Sequence, residues 1–231
     1  MQQQDGDCCP PGSLPSLVES GSYQEKGSVK TLQANFSDLP CYEVGTGSSA
    51  VIVCYDIYGF DSGRTRAVCD ELSEQGGYRV IMPDFFRGAS WSQEKEDTVP
   101  ETKMPWIVEQ SDPESVMADL EGIVLPYLLA QGVTRTGLVG FCFGGYVALL
   151  ASASQRLDLM CAAGVHSSAK IFNLAPGAAQ GADVEAASKV LCPQMMIQAG
   201  NDADNTKPGG AIEEALNMRS HRLEYGASTF V

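Results

Sequence analysis

The sequence predicts an α/β domain built on a doubly wound, mainly parallel sheet. Three observations point there. Short continuous apolar runs, suited to strands covered on both faces, recur along the chain. Segments with apolar positions at helical spacing alternate with them. Gly-rich turns close several of the strands, most sharply at residues 140–145.

The elements follow in order. Residues 1–48 read as an N-terminal leader and edge strands, with CCPPGSLP too proline-rich for a helix. GSVKTLQANF and PCYEVG suit a hairpin or edge strands. Residues 49–231 read as the main domain. Ser49–Tyr55 is an unbroken apolar run, hence a buried strand, and after the turn-prone DIYGFDSG comes the helix TRAVCDELSEQGG. YRVIMPDFF is a second buried strand, ended by Pro83. Residues 87 to 113 are polar, with two tryptophans and three prolines, and read as a long lid-like loop; such loops are often functional. ESVMADLEGIVLPYLLAQG is a helix, TRTGLVGF a strand and GGYVALLASASQ a helix. LMCAAGVHSS and PQMMIQAG are strands, AIEEALNMR a helix, and HRLEYG starts a last strand. In such sheets ligands bind at the carboxyl ends of the strands.

Composition bounds the function. With 44% hydrophobic and 19% charged residues, the 231-residue chain is ordinary globular material. Its length buries enough surface to fold without disulfides or metal. The net charge of −14 excludes a nucleic-acid binder, which needs basic surface, and docking on anionic membranes. No cofactor motif occurs, and the eight cysteines show no paired zinc spacing, Cys8-Cys9 being the one close pair. No secretory leader and no run approaching the ~18 apolar residues of a membrane span is found. The expectation is a soluble cytoplasmic protein with reduced thiols, binding neither metal nor cofactor.

The chemistry centres on Gly140-Phe141-Cys142-Phe143-Gly144-Gly145, between a strand and a helix. This is a G-x-C-x-G-G form of the nucleophile elbow: flanking glycines permit a sharp, strained turn that lifts the nucleophile out of the sheet. A sulfur there also lies near a helix N-terminus, whose partial positive charge favours thiolate.

With this motif the chain resembles the dienelactone hydrolase (carboxymethylenebutenolidase) family, which has the α/β-hydrolase fold. The resemblance runs from about residue 40 nearly to the C-terminus. Asp56-Ile57-Tyr58-Gly59 follows the first buried strand as the family's (E/D)-I-(F/Y)-G does. Pro83-Asp84-Phe85-Phe86 follows the second like the family's P-D-(L/F)-(Y/F). Gly200-Asn201-Asp202 follows MMIQ, where the family carries its catalytic acid, and CCPPGS is similar to leaders of eukaryotic members. The resemblance implies a Cys142 nucleophile, Asp202 as the acid, and an oxyanion hole of the Phe143 and Ile57 N–H groups. It places Asp56, Arg87 and Tyr146 as substrate-binding candidates. For Asp56 a plain strand-end role stays open, for Arg87 a solvent-facing one. Asp204 competes with Asp202, since an Asx-turn explains either.

The histidine departs from the family pattern, in which it follows the last strand as Y-x-G-x-x-H-G-F. Here Ser228 stands at that place, and the family's final helix is missing. His221 lies at the wrong end of its strand. His166 follows LMCAAGV and so belongs at the same sheet edge as Cys142, either lining the pocket or serving as a displaced base. Two functions result. The first is hydrolysis of a small-molecule ester or lactone through Cys142. The second is a catalytically inactive binding or structural subunit, with a protein partner over the face that the missing helix would leave open. A redox thiol using Cys161 or Cys54 as resolving partner is a third, weakened by the burial expected of both.

Overall fold

A computed structural model describes residues 23–33, 38–61 and 64–220. Seven strands form one sheet: β1 (Ser28–Leu32), β2 (Leu39–Val44), β3 (Ser49–Cys54), β4 (Arg79–Pro83), β5 (Arg135–Phe141), β6 (Cys161–Val165) and β7 (Gln194–Ile197). Their order is β1-β2-β4-β3-β5-β6-β7. β1 and β2 make the expected antiparallel hairpin, and β2 runs antiparallel to β4; every other pair is parallel. This is the doubly wound, mainly parallel sheet of the α/β-hydrolase fold.

Burial explains the strands. All five residues of β4 are buried, as are Ile52, Val53 and Cys54 of β3, because the central strands have helices on both sides. In β5, Thr136, Leu138 and Gly140 are buried while Gly137, Val139 and Phe141 are half-buried, the period of two that a pleated strand imposes. Around the sheet lie α1 (Thr65–Gly76), α2 (Gln93–Thr98), α3 (Lys103–Gln110), α4 (Pro113–Asp119), α5 (Leu125–Ala130), α6 (Phe143–Ser152), α7 (Ala182–Ser188) and α8 (Ala211–Ser220). The helix expected over ESVMADLEGIVLPYLLAQG is α4 and α5 joined through a π-helical turn, Leu120–Val124. Pro126 lies just beyond that turn; a proline deprives the preceding turn of one donor, and a wider turn accommodates the loss.

The lid-like loop expected at residues 87 to 113 is instead mostly helical and packed. It contains α2, a 3₁₀ turn and α3. Ser92 caps α2 by accepting from the Lys95 N–H at 3.2 Å. Trp91 and Ile107 are each 2% exposed, and Trp106 packs on Phe86 and Trp91 with ring centroids 5.0 and 5.6 Å away. A few aromatic anchors hold down a segment whose average composition is polar.

β3 leads through α1 to β4 on one side, whereas β5 lies on its other side. The chain therefore reverses direction across the sheet at β3 and β5, where a crevice opens at the strands' carboxyl ends. The expected last strand, together with His221 and Ser228, lies outside the described residues.

Candidate active site

Cys142 joins β5 to α6 with φ of 52°. A non-glycine residue there is strained by about 1–3 kcal/mol, and the surroundings must enforce it. Three backbone hydrogen bonds do so. Cys142 N–H donates to Val165 O at 3.0 Å, and its carbonyl accepts from Gly145 and Ser168 N–H at 2.9 and 3.0 Å. The glycines are dictated by close approach. A Cβ on Gly140 would lie 1.8 Å from Gly144 O, and one on Gly144 2.1 Å from Cys54 O. The helix thus starts directly against the end of β3, and the Cys142 sulfur lies at the amino end of α6.

The other partners arrive on neighbouring strands. β5 and β6 pair with Phe141 opposite Val165. Cys142 and His166 are therefore the next residues along, side by side at the carboxyl edge. His166 also has positive φ, 50°, and its N–H is tied to Ile197 O at 2.7 Å. Its Nδ1 meets Asp202 Oδ1 in a short contact. Asp202 is 7% exposed and fixed by its Oδ2, which accepts from Ala199 N–H at 2.8 Å. A carboxylate can only accept, so Nδ1 carries the proton and Nε2 is the nitrogen able to take one. Asp204, the competitor, points elsewhere: it pairs with Lys207 at 2.9 Å, which holds its carboxyl below the usual range.

The N–H groups of Phe143 and Ile57 donate to no other group among the described residues, although both residues are buried. Donors left unpaired in this way are able to receive a negatively charged oxygen. Asp56 accepts from Tyr58 N–H at 2.9 Å, an Asx-type turn that shapes this loop.

Two of the substrate-binding candidates, Arg87 and Tyr146, have partners within the fold. Arg87 grips Asp119 with both terminal nitrogens, at 2.7 and 2.9 Å, and that carboxylate raises the guanidinium further above its already basic value. Tyr146 is 1% exposed, donates to Ser111 O at 2.6 Å, and has its phenol pushed up by burial. Both side chains thus join elements distant in the sequence.

A small cleft opens beside His166 and Asp202, lined also by Ser168, Lys170, Asn201 and Thr206. Ser168, which no motif singles out, has its Oγ 3.3 Å from Cys142 Sγ. Its only sequence signal is a position two residues beyond His166 in the same strand-end turn. Burial pushes the other core thiols up, Cys41 and Cys69 to about 12, with Cys54 and Cys192 also raised. Among the described residues no group of three His, Cys, Asp or Glu is arranged to hold a metal ion, and no helix is long and apolar enough to cross a membrane.

Against known proteins, residues 42–225 match the model of the dienelactone hydrolase family. The chain is similar to a carboxymethylenebutenolidase homolog of Xenopus tropicalis, 30% identical over 144 residues, covering 61% of this chain and 54% of that one. A homolog of the same description from Rattus norvegicus is 36% identical over 140 residues, covering 59% and 53%. The chain thus spans about half the length of the curated relatives it matches. Among solved structures, a dienelactone hydrolase-like promiscuous phosphotriesterase from metagenomic libraries superposes with a TM-score of 0.57 at 14% identity, covering 88% of this chain and 80% of that one. At that identity the likeness concerns the fold.

Proposed function

We propose that this chain, which belongs to the dienelactone hydrolase family, hydrolyses small carboxylic esters or lactones with Cys142 as nucleophile and His166–Asp202 as its acid–base pair. One observation carries the reading. The histidine next to Cys142 across the β5–β6 pair has its Nδ1 on a buried carboxylate, the arrangement that orients an imidazole for proton transfer.

In this reading His166 Nε2 takes the thiol proton and the Cys142 sulfur attacks the acyl carbon. A C–S bond forms while the carbonyl π pair moves onto oxygen. The Phe143 and Ile57 N–H groups receive that oxyanion, an interaction worth several kcal/mol per donor, roughly 3–4 by analogy with other acyl-transfer sites. Collapse restores the carbonyl and breaks the C–O bond, and the leaving alkoxide takes the proton from His166. Water, deprotonated by the same nitrogen, then attacks the thioester and releases the acid and the thiol. Because a few per cent of a cysteine is already thiolate at neutral pH, the demand on the base is greatest at leaving-group protonation and deacylation.

The test is hydrolysis of an activated aryl ester and of a dienelactone by wild type, Cys142→Ala and His166→Ala. Cys142→Ala should fall to background, and His166→Ala should lose roughly 10²–10⁴-fold in turnover. Wild-type rates equal to those of Cys142→Ala would leave a hydrolase fold used for binding or assembly.

A further inference from the structure

The nucleophile position has a fourth neighbour. Ser168 reaches it twice: Oγ lies 3.3 Å from Cys142 Sγ, and the Ser168 N–H donates to the Cys142 carbonyl at 3.0 Å. The backbone bond fixes the serine relative to the elbow, so the side-chain contact follows from the β6 strand-end turn. Ser168 is 4% exposed and leads into the 3₁₀ turn Ala169–Leu174. It lines the cleft shared by His166 and Asp202, whose lining does not include Cys142.

We infer that Ser168 is a positioning residue for Cys142, its hydroxyl holding the sulfur in place and donating to it when the sulfur becomes anionic. The inference rests on the reading of Cys142 as nucleophile. Its physical basis is that a hydroxyl is both donor and acceptor and rotates to suit. Toward the neutral thiol it can accept the weak S–H donor; toward the thiolate it turns and supplies a charge-assisted bond. Cys142 is itself only 4% exposed, so little water is at hand to do the same. Among the described residues the charged and titratable groups around this edge include His166 after β6, Asp202 after β7, Asp56 after β3 and Lys170 on the 3₁₀ turn. The first turn of α6 adds no acidic side chain, and Tyr146 on that helix is bound to Ser111. The serine's contribution must therefore be separated from theirs by substitution at Ser168 alone.

The measurement is the pH profile of iodoacetamide alkylation at Cys142, followed by peptide mass spectrometry in wild type, Ser168→Ala and Ser168→Thr. Removing the hydroxyl should move the midpoint upward and slow labelling at pH 7 about ten-fold, the size of one hydrogen bond to a charged group. Threonine, which retains the hydroxyl, should restore both, a recovery that a role in packing alone does not predict. An unchanged midpoint in Ser168→Ala overturns the inference, as does a wild-type Cys142 that resists labelling at every pH. Ester hydrolysis is scored separately. A shifted midpoint without Cys142-dependent hydrolysis keeps the positioning role and removes the hydrolase reading. Cys142-dependent hydrolysis with an unshifted midpoint does the reverse.

Discussion

Asp202 and Asp204 stand two positions apart in one turn and do different work. Asp202 turns inward to Ala199 N–H and His166, while Asp204 faces solvent and Lys207. Asp202→Asn should therefore reduce ester turnover by about 10²–10⁴-fold by disturbing the imidazole's tautomer, whereas Asp204→Asn should stay within two-fold of wild type, roughly the scatter of a neutral surface change. Equal losses in kcat would contradict the assignment. At this scale the places of Cys142 and Asp202 just beyond strand ends were legible, because short motifs mark them. The pairing of His166 with Asp202 was not, since it joins residues 36 apart that meet only once β6 and β7 pair. The partners of Arg87 and Tyr146 were hidden for the same reason: Asp119 and Ser111 lie 32 and 35 residues away.

Two elements make the site possible, the elbow and the α2–α3 segment. The elbow was readable because its glycines have a steric cause. A methyl at Gly144 would press on the Cys54 backbone, which cannot move without breaking β3. Gly144→Ala should destabilise by about 1–3 kcal/mol or more in urea unfolding and slow Cys142 alkylation with it. A variant as stable as wild type would show that the helix can slide outward. The α2–α3 segment was misread because average polarity hides its anchors. Trp91 is buried, with its indole N–H donated to Glu96 at 2.6 Å. Truncation to alanine should cost about 3–5 kcal/mol. A loss under about 1 kcal/mol would support the loop reading instead.

Over the whole molecule, the alternation of strand and helix sufficed to give the doubly wound sheet and its edge hairpin, because hydrophobic periodicity is a property of each segment alone. The charge network that ties the hairpin down was not legible, since it draws one residue from each of four elements. Glu43 on β2 accepts from Arg79 on β4 at 2.5 Å and from Tyr127 on α5 at 2.9 Å, and pairs with Lys30 on β1. Burial raises its carboxyl, but these partners outweigh burial and leave it below its ordinary value. A depressed carboxyl stabilises the fold above its unfolded-state value, about 4.3, and that contribution is lost as pH falls through the folded-state value. Asp84, raised by burial, works in the opposite sense. Glu43→Gln should therefore be less stable than wild type at pH 7 yet show a shallower loss of melting temperature between about pH 5 and 3; parallel curves would count against the network. The proposed reaction runs through a covalent acyl intermediate on Cys142 that His166 helps to resolve. Mass spectrometry of wild type and His166→Ala, quenched during reaction with an activated aryl acetate, would detect that intermediate. An acetyl thioester is expected on the Cys142 peptide, transient in wild type and accumulating in His166→Ala. Hydrolysis without any adduct at Cys142, or an adduct confined to another cysteine such as the exposed Cys161, would contradict it.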